Sequence, residues 1–401
     1  MSSQTRVLSQ PAAVRRLGVS PGMLTLILLS AGHFLIDLYS GALGVLQPLL
    51  VDKLRLSLTQ AGLLGGVLVF SSSVTQPFYG YLSDRWRSRL FSGLSPAVAG
   101  VFISSLGYAP GFGWALALVF LGGAGVSAFH PQGSAWAAAG LERNRPRWMA
   151  VFISAGTLGL ALSPFFYSQI VAAHGLESAV WAAIPGILVS ALLLTAMPVP
   201  AQPLGGGTRF DWAPLKAVRR PLAILFAGVF LRSVVQITYT QFLALYLSRE
   251  RGFTLRQAAL TLTLYLAAGA LGGFIGGNLS ERFGARRVIL ASFLFSTPFM
   301  AVFFFGGQGP WGVASLALGG LILLFTIPVN VVVAQELAPK QAGTVSALMM
   351  GFAWGSAGLI FIPLTGWAAD QTSLHTALSA LLAFPLLGYW VSRHLPEETG
   401  R

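Results

Sequence analysis

The sequence predicts an all-α polytopic membrane protein with twelve transmembrane helices in two pseudo-symmetric six-helix bundles. Three observations predict it. Of 401 residues, 55% are hydrophobic and only 9% are charged, where a soluble globular chain has about a quarter charged. The apolar residues fall into runs near the ~20 residues that a bilayer-spanning helix needs. Basic residues gather in alternate gaps between those runs, and motifs recur about half a chain apart.

The runs cover residues 23–50, 60–82, 90–109, 113–140, 148–172, 178–197, 221–248, 257–280, 288–306, 311–337, 342–369 and 374–393. The first follows Arg15-Arg16 but is too long for a signal-peptide core, so it is expected to stay as a membrane helix. The longest gap, 198–220, carries Pro198, Pro200, Pro203 and Gly205-Gly206-Gly207 and divides the runs six and six. The expected organisation is a cytoplasmic tail (1–22), a first bundle (23–197), a cytoplasmic linker (198–220), a second bundle (221–395) and a short cytoplasmic tail (396–401). Trp136, Trp148, Trp212 and Trp311 lie near run ends and are expected in the interfacial aromatic belt.

Charge fixes orientation. Nineteen of the 25 Lys and Arg lie in the gaps on one side, five on the other, and Arg232 lies inside a run. By the positive-inside rule, the rich side, with both termini, is cytoplasmic. The net charge of +13 would point to nucleic acid in a soluble protein. Here it is a topological signal, and no nucleic-acid partner is expected. The absence of cysteine removes disulfides, thiolate metal sites and cysteine nucleophiles.

The halves repeat. Gly80-Tyr81-Leu82-Ser83-Asp84-Arg85 recurs 197 residues later as Gly277-Asn278-Leu279-Ser280-Glu281-Arg282. Gly156, Gly159 and Pro164 recur 199 residues later as Gly355, Gly358 and Pro363, and Pro131 recurs 197 residues later as Pro328. Each motif keeps its helix index as well as its spacing, so two homologous bundles are expected. The Gly-x-x-x-acid-Arg pairs stand at the cytoplasmic ends of runs two and eight. Gly80, Asp84, Arg85, Gly277, Glu281 and Arg282 are the candidate conformational latch.

His33 and Asp37 lie four residues apart in the first run, on one helix face. A carboxylate at the bilayer centre costs about 2.5–3.5 kcal/mol on insertion scales unless it meets a partner or a wet cavity. Asp37 is therefore the candidate proton carrier, with His33 and His130 as tuning or relay groups because imidazole titrates near working pH. Arg232 lies in run seven, the symmetry mate of run one. It suits phosphate, phosphonate or carboxylate, whose paired oxygens match its planar fork. Either it pairs with Asp37 across the halves, or the two divide anion and proton between them. Tyr39, Gln47, Gln132, Gln236 and Tyr239 are candidate uncharged substrate contacts, and Gln335 and Glu336 are a candidate gate near the end of run ten.

The Gly-x-x-x-acid-Arg pattern resembles the loop signature of the major facilitator superfamily at both expected positions. Arg87 stands where that family usually has glycine, and Glu281 where it usually has aspartate. Gly32-His33-Phe34-Leu35-Ile36-Asp37-Leu38-Tyr39, Gln47-Pro48, Gln76-Pro77, Ala128-Phe129-His130-Pro131-Gln132-Gly133 and Ser154-Ala155-Gly156-Thr157-Leu158-Gly159 resemble its fosmidomycin-resistance branch. Gln335-Glu336-Leu337-Ala338-Pro339 in the second half is similar too. The resemblance covers about residues 23–395. It implies the major facilitator fold in a bacterial inner membrane, and a proton-driven, monomeric exporter of small anionic or drug-like molecules.

The rival readings are a proton-coupled importer of a small organic anion and an integral-membrane enzyme. No Gly-x-Ser-x-Gly, His-Glu-x-x-His or Walker-type lysine loop supports an enzyme or a nucleotide-driven pump. The histidines and acids are too thinly spread in sequence for a metal site, and no cofactor is expected.

Overall fold

The computed structural model describes residues 20–396, apart from 87, 142, 199–212 and 308. Most of both expected tails and of the expected linker therefore lies outside the described residues, as do Arg87 and Trp212. Among the described residues there is no strand. Twelve helices are long and apolar enough to cross a membrane. They are α1 (Pro21–Leu54), α2 (Leu58–Ser83), α3 (Leu90–Tyr108), α4 (Phe112–Trp136), α5 (Arg147–His174) and α6 (Leu176–Ala196) in the first half. The second half has α7 (Arg219–Glu250), α8 (Leu255–Phe283), α9 (Ala285–Phe305), α10 (Pro310–Leu337), α11 (Ala342–Gln371) and α12 (Leu374–Ser392).

Local chemistry sets the ends. α1 starts where Ser20 Oγ accepts from Met23 N at 3.2 Å and Pro21 occupies the first turn, a position that needs no amide hydrogen. α2 and α8 both start with capping boxes, Ser57 with Gln60 and Thr254 with Gln257. These satisfy the free amides of the first turn and extend the 197-residue repeat to the caps. α4 stops at Trp136 rather than 140, because the chain turns there and Gly140 adopts a left-handed φ of +76°. A short helix, Ala213–Ala217, fills the end of the expected linker. Trp311 is exposed as a belt residue would be, whereas Trp136 is buried.

The halves meet along α2 with α11, α5 with α8, and the last third of α1 with α7. Glycines permit this approach. A Cβ on Gly44 would lie 2.2 Å from the Thr240 carbonyl oxygen, and one on Gly366 would lie 2.2 Å from that of Leu58. π-helical turns at Phe70–Val74 in α2 and Leu348–Ala353 in α11 face each other across the same seam. At the end away from the arginine-rich gaps, the halves are clamped by polar contacts. Asp370 accepts from Leu58 N and Thr59 N at 2.8 Å each and from Thr59 Oγ1 at 2.6 Å, and Arg249 meets Asp52 at 2.5 Å.

At the arginine-rich end the described side chains of the candidate latch make no such bond. Arg85 lies over the Tyr81 ring at 4.5 Å and Arg282 over the Phe283 ring at 5.2 Å. Among the described residues no ion pair joins Arg85, Glu281 or Arg282 to the other half. The Asp84 side chain lies outside the described ones. Gly80 and Gly277 instead sit against Pro131 and Pro328 of their own halves.

Candidate functional site

Three titratable side chains of the first half converge where the middle of α1 packs against the C-terminal part of α4. His33 Nε2 lies 3.4 Å from Asp37 Oδ2, and His130 Nε2 lies 3.5 Å from Asp37 Oδ1. The i, i+4 spacing in α1 brings the first pair together. α4, packed beside α1, brings His130. The Asp37 and His130 side chains keep 17% and 25% of their surface exposed, and His33 keeps 10%, so the cluster is neither sealed nor free in solvent.

His33 is held on every side. Its ring stacks on Phe152 with centroids 4.2 Å apart and on Phe129 at 5.9 Å, and it meets the His130 ring edge-on at 5.2 Å. Its Nδ1 lies 2.8 Å from the Phe152 carbonyl oxygen. A carbonyl can only accept, so Nδ1 carries the hydrogen. A neutral His33 then presents the Nε2 lone pair to Asp37. Two lone pairs at that distance repel, so the contact is attractive only when a proton or another cation is shared within the cluster.

Glycine makes room for this pairing. A Cβ on Gly156 in α5 would lie 2.4 Å from His33 Nε2 and 2.5 Å from Asp37 Oδ2. Sequence reasoning noticed Gly156 only as one member of a repeated motif. Its place against the cluster depends on how α5 packs on α1.

Arg232 is buried at 4% exposure on α7. Its Nη1 donates to Gln236 Oε1 at 2.6 Å and its Nη2 to Ser233 Oγ at 3.1 Å, while its Nε has no hydrogen-bond partner. No carboxylate lies within ion-pair distance of it among the described residues. The register of the repeat sets Arg232 off from Asp37 along the helix axis. Tyr39 and Tyr239 are equivalent, since Tyr39 Oη donates to Ala182 O of α6 at 2.9 Å and Tyr239 Oη to Leu378 O of α12 at 3.2 Å. That offset of 200 residues aligns Arg232 with Gly32, five residues before Asp37, or about 7.5 Å along the helix at 1.5 Å per residue.

The uncharged candidates are mostly committed elsewhere in this conformation. Tyr39 and Tyr239 are fully buried braces between spans. Gln47 Nε2 donates to Ala61 O at 2.9 Å, tying α1 to α2. Gln132 accepts from Ser92 N at 2.9 Å and from Ser92 Oγ at 2.7 Å, and donates to Ser88 O at 2.9 Å, so both ends of its amide hold α4 to the start of α3. Only Gln236 keeps company with a charge. At the end of α10, Gln335 Nε2 donates to Ser346 Oγ of α11 at 2.8 Å, and Glu336 is exposed. Sequence reasoning passed over Asn330 on α10, buried at 2% exposure with an unpartnered Nδ2. An asparagine inside the apolar run Ile327-Pro328-Val329-Asn330-Val331 is a legible signal. It also expected no metal-ligating group, yet one ligand atom each of His33, Asp37 and His130 fall within 4.8 Å of one another.

Comparison with known proteins places this architecture. The chain is 32% identical over 378 residues to "Uncharacterized MFS-type transporter YfnC" of Bacillus subtilis (strain 168), covering 90% of each chain. It is 29% identical over 397 residues to "Fosmidomycin resistance protein" of Escherichia coli (strain K12), covering 97% of this chain and 96% of that one. Among solved structures, a bacterial homologue of the human lysosomal transporter Spinster, inward-facing and occupied, superposes with a TM-score of 0.78 at 16% identity, covering 94% of this chain and 97% of the other. The profile of the Major Facilitator Superfamily matches residues 29–363, and the chain is a twelve-span transporter belonging to that superfamily.

Proposed function

We propose that the chain is a proton-coupled secondary transporter that exports small anionic or drug-like molecules by alternating access. It acts as a monomer in a bacterial inner membrane, with both termini cytoplasmic. One observation carries this reading: Asp37 is engaged by two histidines of its own half, while Arg232, buried in the other half, has no carboxylate partner among the described residues. Proton and anion then have separate sites. Arg232, with Gln236 and Ser233 beside it, takes an oxyanion of the phosphonate or carboxylate kind. Asp37 carries the proton, and His33 and His130 share it.

The asymmetry of the two ends supports alternating access. With the arginine-rich side cytoplasmic, the clamp at Asp370 and Arg249 closes the outer end, and none of the described latch side chains is joined across the halves near the inner end. A state open to the cytoplasm is one in which an exporter loads and an importer releases. The likeness to a fosmidomycin resistance protein supports export of a drug-like molecule.

The test uses inverted vesicles with an imposed pH gradient. A panel of small phosphonates and carboxylates is first ranked by thermal stabilisation, since a ligand of the folded state raises its melting point. Asp37→Asn abolishes uphill accumulation of the best ligand and leaves exchange. Arg232→Gln removes the stabilisation. Full coupled transport in Asp37→Asn, or stabilisation by neutral and cationic compounds alone, refutes the reading. Accumulation only in right-side-out vesicles under an inward proton gradient reverses the direction.

A further inference from the structure

We propose that His33, Asp37 and His130 form a binding site for a divalent transition-metal ion of the zinc, cobalt or nickel class. A tetrahedral ion with ligands at about 2.0–2.1 Å has edges of about 3.3 Å between ligand atoms. His33 Nε2 lies 3.4 Å from Asp37 Oδ2 and His130 Nε2 lies 3.5 Å from Asp37 Oδ1, so each imidazole meets its own carboxylate oxygen at about that spacing, and a turn of the carboxylate brings one oxygen to both. The third edge, between the two histidines, lies within the 4.8 Å that spans the whole group. His130, a quarter exposed, has the freedom to close it.

The tautomer also fits. Metal-ligating imidazoles characteristically donate their other ring nitrogen to a carbonyl or carboxylate, which fixes the ring and leaves the ligating lone pair aimed inward. His33 does this through Nδ1 to Phe152 O at 2.8 Å, with its ring stacked on Phe152. Two imidazoles and one carboxylate are borderline ligands. They favour zinc, cobalt or nickel over calcium and magnesium, which take oxygen, and over copper(I), which takes sulfur. A fourth tetrahedral position remains beyond these three ligands. A dication beside one carboxylate leaves a net positive charge, so that position takes hydroxide or an anion.

An ion there excludes the shared proton, so the site reads as inhibitory for transport. Metal binding depends on ligand geometry and not on proton transfer. It survives if coupling at Asp37 fails, and coupling survives if metal binding fails.

The experiment uses full-length protein, purified in detergent with its affinity tag removed and stripped with chelator, then titrated with Co²⁺. The expected result is one equivalent of cobalt with the intense visible bands of a low-coordinate site, bleached by stoichiometric Zn²⁺. His130→Gln and Asp37→Asn weaken binding more than ~10-fold, whereas His394→Gln, at an exposed position, leaves it unchanged. Absence of the bands overturns the proposal, as does an unchanged spectrum in a folded His130→Gln protein. X-ray absorption of the zinc-loaded wild type gives an answer even where the variants do not fold: two imidazole ligands support the site, and an oxygen-only shell overturns it.

Discussion

Gly156→Ala is the sharpest probe of the Asp37 cluster, because it adds one methyl group and no charge. The new Cβ falls 2.4 Å from His33 Nε2 and 2.5 Å from Asp37 Oδ2, each about 1 Å inside ordinary van der Waals contact. His33 cannot retreat, since it is stacked on Phe152 and Phe129 and tied to Phe152 O. Asp37 must therefore swing away and lose the 3.4 Å contact. Overpacking of this kind costs about 1–3 kcal/mol, and each ~1.4 kcal/mol is a factor of ten in an equilibrium. Uphill, proton-driven transport in vesicles falls about 10-fold or more, and its pH profile shifts, while substrate exchange persists. Gly343→Ala is the control. No atom lies within 4 Å of its added Cβ, and alanine favours a helix by about 1 kcal/mol over glycine. A folded Gly156→Ala protein with wild-type coupled rate and wild-type pH profile refutes the reasoning.

Tyr39→Phe and Tyr239→Phe each remove a buried hydrogen bond, to the carbonyl of Ala182 or Leu378. Each is expected to cost about 0.5–1.5 kcal/mol of stability, read as similar drops in Tm, with KM unchanged. A KM raised more than about 10-fold at unaltered Tm would return either tyrosine to the substrate site. Asp370→Asn weakens the clamp on the start of α2. Because the group is exposed, the loss is about 1 kcal/mol, or ~5-fold in favour of the state open at that end. The chain has no native cysteine, so Leu243→Cys, fully buried, reports directly through a several-fold faster reaction with a membrane-impermeant maleimide. Unchanged labelling would show that Asp370 does not hold that end shut.

The twelve spans were legible because the bilayer sets helix length and apolar content with little help from tertiary contacts. The His33–Asp37 pairing was legible for a similar reason, since four residues fix one face of a helix whatever surrounds it. What the sequence hid was mostly a matter of backbone acceptors. Gln47, Gln132, Tyr39 and Tyr239 read as substrate contacts because a polar side chain in an apolar run looks functional. Their partners are carbonyls of Ala61, Ser88, Ala182 and Leu378, with Ser92 also serving Gln132, and any residue can supply a carbonyl. Gly156 and the convergence of His130 on Asp37 depend on which helices lie side by side, which spacing along one chain does not encode. Mid-helix position is a looser guide to the register of Arg232 than the equivalent tyrosines.

The separation of Asp37 from Arg232 has an energetic logic of its own. The halves of an alternating-access carrier must rock past each other in every cycle. A direct ion pair between them would contribute about 4 kcal/mol at 4 Å and an effective dielectric near 20. Moving a two-state equilibrium from 1:99 to 99:1 takes about 5.5 kcal/mol, so such a pair alone would nearly fix the conformation. Here each charge finds its contacts within its own half: Asp37 in His33 and His130, and Arg232 in Gln236 and Ser233. Rocking then breaks neither set. The free energy that joins or parts the halves is left to the exposed clamp at Asp370 and Arg249 and to the glycine-lined seams. Small contributions of that kind are the ones a bound substrate or a single proton can outweigh.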